Sequence, residues 1–296
     1  MTLAGVFAPI PTPFDSRHDV DLTRLKHALD RWVGSPLAGF VILGSNGEAV
    51  LLDDNESDRV IASSRDAVPR GRPFIVGTGR ESTRATAAAT RRAAELGADA
   101  VLVRTPAFYK PQMTGDAFVR HYTTVADASR VPVLLYNFTA MTRVTLPADA
   151  VSQLAQHPNI VGMKESGGDV TRIAELVGAA PPPFALLGGS GATFCAALEA
   201  GAAGGVLVLA SVLPEACSRL FALARDRRFE EARALQARLR PVAQLLGSTY
   251  GIPGVKAALN LVGYDVGEPR SPLAPAPEAA RAAIREALSA FEEVAA

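Results

Sequence analysis

A lysine that closes an apolar run is the first residue in this sequence whose position could do chemistry. Lys164 ends Ile160-Val161-Gly162-Met163 and is followed by Glu165-Ser166. The chain has only four lysines, Lys26, Lys110, Lys164 and Lys256, and otherwise uses arginine as its cation. A lysine buried there would be a nucleophile toward a carbonyl, because lost hydration favours the neutral amine. The plainer reading is a side chain that snorkels outward or pairs with a neighbouring carboxylate. Tyr136 ends a second apolar run and could pass protons to that amine, or be a core aromatic with its hydroxyl satisfied. Gly44-Ser45-Asn46-Gly47-Glu48 offers N–H groups and small polar side chains on a tight turn. Such a turn can bind a carboxylate, or simply join a strand to a helix. Amine, phenol and turn together would suit imine formation with a small 2-oxo acid.

These residues need elements to position them. Apolar runs at 7–14, 39–45, 73–79, 100–106, 131–138, 160–165, 184–188 and 205–210 read as strands buried on both faces. Amphipathic stretches lie between them, at 21–33, 53–67, 81–96 and 115–128, opened by the capping residues Asp21, Asp53, Ser82 and Thr114. Eight strands alternating with helices predict a (β/α)₈ TIM barrel of the α/β class, with chemistry at the C-terminal strand ends. A doubly wound open sheet competes, but it wants a glycine-rich turn after the first strand, and Asp15-Ser16-Arg17 stands there. Helical patterns at 214–224, 229–246, 255–262 and 277–294 exceed what a barrel needs. The expected organisation is a barrel over 1–224 and a C-terminal helical extension over 225–296, with a proline-rich connector at 268–277.

Composition narrows the function. Net charge is zero and no basic stripe is interleaved with aromatics, so a nucleic-acid partner is not expected. No signal peptide or membrane-length apolar run is read, and the expected location is cytoplasmic. Cys195 and Cys217 form no motif, and His18, His27, His121 and His157 lack ligand spacing, so no metal is expected. The turns at 77–79 and 188–191 match no dinucleotide or phosphate-loop fingerprint, and no cofactor is expected.

Several of these segments together resemble the dihydrodipicolinate synthase/N-acetylneuraminate lyase family of class I aldolases, over nearly the whole chain. The marks are Pro11-Thr12-Pro13-Phe14, Gly44-Ser45-Asn46-Gly47-Glu48, Tyr136-Asn137, Gly162-Met163-Lys164-Glu165-Ser166 and Tyr250-Gly251-Ile252-Pro253-Gly254-Val255-Lys256. Residues 156–173 and the Ser45-Asn46 pair are most similar to the 4-hydroxy-2-oxoglutarate aldolase branch. The resemblance implies that Lys164 forms a Schiff base, Tyr136 shuttles protons and Ser45 relays them. It implies further that Ser45 and Asn46 hold the 2-oxo acid's carboxylate, and that Ser166, Gly189 and Leu207 line the substrate pocket. It also implies a homotetramer, a dimer of dimers, in which the loop at 106–111 crosses between active sites.

Three positions depart from the pattern. Met141 stands where dihydrodipicolinate synthases carry a carboxylate-binding arginine, with Arg143 two residues beyond it. Thr139 replaces a proline, and Phe108 replaces the relay tyrosine, with Tyr109 adjacent. The expected substrates are pyruvate and an aldehyde, with glyoxylate suggested by the branch. Aspartate semialdehyde, sugar acids and a non-catalytic 2-oxo acid sensor remain as alternatives.

Overall fold

Alternation of side chains along each strand accounts for the architecture. In the computed structural model, which describes residues 3–295, eight parallel strands pair in sequence order and close as a barrel. They are β1 (Gly5–Pro9), β2 (Gly39–Ile42), β3 (Phe74–Gly77), β4 (Ala100–Arg104), β5 (Val133–Asn137), β6 (Ile160–Glu165), β7 (Ala185–Gly188) and β8 (Gly204–Val206). One set of side chains fills the barrel: Phe7, Val41, Ile75, Leu134, Leu187 and Val206. The other set, including Ala8, Phe40, Val76, Val103, Leu135 and Met163, packs beneath the surrounding helices. With both faces covered, the strands read as continuous apolar runs.

Around the barrel lie α1 (Leu22–Val33), α2 (Asp54–Ala67), α3 (Thr83–Glu95), α4 (Gly115–Ala128), α5 (Thr139–Thr142), α6 (Ala148–Leu154), α7 (Val170–Ala179) and α8 (Phe194–Glu199). The side chains of Asp21, Asp53, Ser82 and Thr114 accept from the backbone of the first turns of α1 to α4, as the sequence suggested. After β8 come α9 (Val208–Val212), α10 (Pro214–Arg225), α11 (Phe229–Gln244), α12 (Gly251–Leu261) and α13 (Glu278–Ala295). The expected boundary at 224/225 falls at the last residue of α10. Met1, Thr2 and Ala296, which the expected barrel and extension spans include, lie outside the described residues. No helix among the described residues is long and apolar enough to cross a membrane.

Several strands are shorter than expected, and two C-terminal ends differ most. β1 stops at Pro9 instead of reaching residue 14, because Pro11 and Pro13 have no N–H to donate to a ladder. Phe14 instead forms an isolated antiparallel bridge with Val20. β8 ends at Val206, and 208–212 is helical. An apolar run buried all round looks the same to periodicity whether it is strand or helix.

Close approach at the mouth depends on missing side chains. Leu43 follows β2 with a φ of 55°, a left-handed conformation unusual for leucine, and its carbonyl sits where a Cβ on Gly77 would be. Gly77→Ala should therefore lower stability in urea unfolding by about 1–3 kcal/mol. Gly178→Ala, in α7 with open space around it, should be neutral or stabilising by up to about 1 kcal/mol. Equal effects would contradict this packing account.

His121, on α4, is buried and its Nδ1 lies 2.9 Å from the Thr83 hydroxyl of α3. Burial pulls its imidazole down to about 4 from an ordinary 6.5, with the Glu81 carboxylate opposing and the Arg104 guanidinium adding to the shift. Above pH 6.5 both folded and unfolded forms are neutral here. As pH falls toward 4 the unfolded chain takes up the proton first, so stability is lost. Wild type should lose about 2 kcal/mol more than His121→Gln between pH 7 and pH 5 by urea titration. A parallel loss in both proteins would contradict it.

Candidate active site

The pairing of β5 with β6 places Tyr136 directly beside Lys164, and Asn137 beside Glu165. Because faces alternate, the first pair points into the barrel mouth and the second toward the helices. Lys164 is only 4% exposed, and its Nζ lies 4.4 Å from the centre of the Tyr136 ring. No carboxylate pairs with it among the described residues. The Tyr136 hydroxyl is 2.9 Å from Ser45 Oγ. Amine, phenol and serine hydroxyl thus run in sequence from the barrel interior toward its mouth.

Ser45 is held by backbone geometry. Residues Ser45–Gly47 form a single 3-10 turn closed by Gly47 N–H to the Gly44 carbonyl at 3.0 Å and Glu48 N–H to the Ser45 carbonyl at 3.1 Å. The N–H groups of Ser45 and Asn46 remain unbonded among the described residues, the arrangement a bound carboxylate requires. Thr12 Oγ1 donates to the Gly47 carbonyl at 2.6 Å and fixes the turn to the loop after β1.

On the outward face, Glu165 accepts from Asn137 Nδ2 at 2.8 Å and from the Gly167 N–H at 2.7 Å. Burial raises its carboxyl above the ordinary range, while those two donors oppose the shift. Asn137 Oδ1 accepts from the Leu146 N–H at 3.0 Å, so one amide ties the β5 exit both to Glu165 of β6 and to the segment before α6. Ser166 and Gly189 meet where β6 and β7 end. Gly189 donates to the Glu165 carbonyl at 2.7 Å, and a Cβ there would collide with Ser166 Oγ.

A cavity of about 370 Å³ opens above Ser45 and Tyr136. Its wall also includes Glu81, Arg104, Lys110, Phe138, Met141 and Thr142. Lys164 is not in this wall; it lies behind the Tyr136 ring. Asn46, Ser166, Gly189 and Leu207 are not in the wall either. Leu207 is fully buried and donates its N–H to the Phe7 carbonyl at 3.0 Å. Arg143 is exposed, with a φ of 58° at the end of α5, and stands outside the wall, whereas the 63% exposed Met141 forms part of it. Phe108 and Tyr109 are exposed and pack edge to face, their ring centres 5.1 Å apart.

Sequence reasoning passed over Glu81 and Arg104. Glu81 accepts from Arg104 Nη1 at 2.7 Å and from the N–H groups of Ala107 and Phe108 at 2.9 and 2.8 Å. Burial pushes its carboxyl up, but these donors together bring it below the ordinary range. The pair thereby fixes the loop that carries Phe108 and Tyr109. The same signal that exposed Lys164 was available, since Arg104 also ends an apolar strand. Among the described residues no group of three or more His, Cys, Asp or Glu could hold a metal ion.

Comparison with known proteins places the chain in a family. A family model described as the dihydrodipicolinate synthetase family matches residues 2–291. A probable mitochondrial 4-hydroxy-2-oxoglutarate aldolase of Emericella nidulans is 38% identical over 292 residues, spanning 96% of this chain and 94% of the relative. A 4-hydroxy-tetrahydrodipicolinate synthase of an Exiguobacterium species is 35% identical, with 98% of each chain covered. Among solved structures, the dihydrodipicolinate synthase of Acinetobacter baumannii complexed with pyruvate superposes with a TM-score of 0.94 at 32% identity, covering 98% of this chain and 99% of that one. Barrel and sequence agree, and the chain belongs to the dihydrodipicolinate synthetase family.

Proposed function

We propose that this chain is a class I aldolase that forms an imine between Lys164 and pyruvate, and that its reaction is the cleavage of 4-hydroxy-2-oxoglutarate to pyruvate and glyoxylate. The observation that carries the proposal is a buried lysine without a carboxylate partner, set against a tyrosine whose hydroxyl meets Ser45 at 2.9 Å.

In this reading the Lys164 amine attacks C2 of the 2-oxo acid. Tyr136 returns a proton to the carbinolamine oxygen, water leaves, and a protonated imine forms. The N–H groups of Ser45 and Asn46 hold the adjacent carboxylate. The cationic nitrogen draws electrons from C3. Loss of the C4 hydroxyl proton then breaks the C3–C4 bond, releasing glyoxylate and leaving an enamine. Protonation at C3 and hydrolysis free pyruvate and restore the amine. The Tyr136–Ser45 hydrogen bond gives these protons a path to the cavity.

The acceptor is argued from the wall. Met141 offers no charge, and Arg143 stands outside it, which disfavours aspartate semialdehyde, whose carboxylate carbon is the third from the aldehyde carbon. In glyoxylate the carboxylate is the carbon next to the aldehyde, and Arg104 and Lys110 supply the cations of the cavity wall. The similarity to the Emericella aldolase supports this choice. The similarity to several 4-hydroxy-tetrahydrodipicolinate synthases supports the second reading, condensation of pyruvate with aspartate semialdehyde. Exposed Val50, Phe108, Tyr109 and Met141 around the mouth support pairing of chains there, toward the expected tetramer.

Incubation with pyruvate and borohydride should leave a reduced adduct on the Lys164 peptide by mass spectrometry; an unmodified peptide would overturn the proposal. In coupled assays, kcat/KM with 4-hydroxy-2-oxoglutarate should exceed that for condensation with aspartate semialdehyde, and the reverse order selects the second reading. Tyr136→Phe should lower kcat by about 10²–10⁴-fold with the fold intact by circular dichroism. Unchanged turnover would remove Tyr136 from the proton path.

A further inference from the structure

The segment Tyr250–Lys256 resembles the family but has no part in the steps above, and its lysine is one of the most buried side chains in the protein. Lys256, on α12, is completely buried and its Nζ lies 2.7 Å from Glu48 Oε1. The same ammonium donates to the carbonyls of Thr12 at 2.8 Å and Glu268 at 3.0 Å, and sits 4.2 Å from the centre of the Phe14 ring. The other oxygen of Glu48 accepts from the Arg270 N–H at 2.9 Å. Arg270 is anchored in turn by Glu56 at 2.6 Å and the Leu51 carbonyl at 2.9 Å.

Glu48 is the residue that closes the Ser45–Gly47 turn. Its φ of 53° is left-handed, a conformation that a non-glycine residue keeps only where its surroundings enforce it. Here the side chain supplies that enforcement, since both carboxylate oxygens are held by the C-terminal part of the chain. Thr12 contributes from two atoms: its hydroxyl holds the Gly47 carbonyl, and its own carbonyl accepts from Lys256. The turn that presents the Ser45 hydroxyl and the free N–H groups is therefore held from behind by α12 and the connector.

We propose that Lys256 is a positioning residue for the reaction: through its ion pair with Glu48 it sets the Ser45–Asn46 turn, and thereby both the carboxylate site and the Ser45–Tyr136 contact. The inference rests on the reading of Lys164 as the imine-forming residue. It differs from a merely structural ion pair in one consequence. The part of its effect that travels through the Ser45–Tyr136 contact must vanish when the Ser45 hydroxyl is already absent, so the total loss must shrink.

A double-mutant cycle on the full-length chain tests this. Lys256→Met and Glu48→Gln are each combined with Ser45→Ala, and kcat/KM for cleavage of 4-hydroxy-2-oxoglutarate is measured in all backgrounds. With Ser45 present, each substitution should lower kcat/KM by about tenfold or more. In the Ser45→Ala background the loss should fall to about threefold or less, because contacting residues on one path are not additive. Lys256→Arg, which keeps the charge, should recover part of the activity. Equal losses in both backgrounds would overturn the proposal, as would variants that melt earlier but keep kcat/KM. Should Lys256→Met not fold, Glu48→Gln and Thr12→Val carry the same comparison with smaller perturbation. A borohydride adduct on Lys164 in wild type separates the two levels. Its presence with additive losses overturns this inference alone, and its absence removes the imine reading together with this inference.

Discussion

Taking an amine out of water costs on the order of several kcal/mol unless a carboxylate or hydrogen-bond acceptors replace the lost hydration. The protein buries two lysines and treats them in opposite ways. Lys256 receives Glu48 and two carbonyl oxygens. Burial pushes its ammonium below the ordinary lysine range, and Glu48 opposes that push. Lys164 receives the face of a tyrosine ring and no carboxylate. The other buried ionisable groups at the strand ends are compensated as Lys256 is, Glu165 by Asn137 and Gly167, for example. In the proposed reading, the amine left without a carboxylate among the described residues is the one that forms the bond to substrate.

What keeps the amine in place is the alternation that also builds the barrel. Adjacent residues on β5 and β6 face opposite ways, so Tyr136 and Lys164 share the mouth while Asn137 and Glu165 lock the same two strand ends from outside. A shift of one residue in either strand would exchange the inward-facing pair for the locking pair. The close approaches of Leu43 to Gly77 and of Ser166 to Gly189 bring neighbouring strand exits together around that pair. Substituents that would widen the mouth have been removed where they would collide.

Most of this was legible in the sequence where one residue, or one local pattern, carries the information. The four helix caps, the run ending in Lys164, Tyr136 and the Ser45 turn are local signals. The ends of β1 and β8 were harder, because prolines truncate one apolar run and helix replaces strand in the other. Arg143 stands two residues beyond the position of the family's carboxylate-binding arginine, yet at the left-handed end of α5 it lies outside the cavity wall, and Met141 forms part of it. The ion pair between Glu48 and Lys256 joins residues far apart in sequence, and no local pattern marks either as a partner of the other. Glu81 and Arg104 lay in plain view at strand exits, but only the folded loop shows that they hold each other and the backbone of Ala107 and Phe108.

The central claim is that Lys164 is the uncompensated amine that captures a 2-oxo acid. A crystal structure of the protein soaked in pyruvate tests it most directly. The account predicts continuous density from Lys164 Nζ to C2 of pyruvate, with the carboxylate on the N–H groups of Ser45 and Asn46 and the Tyr136 hydroxyl within hydrogen-bond distance. Pyruvate bound elsewhere in the cavity, with the Lys164 amine unmodified, would contradict it.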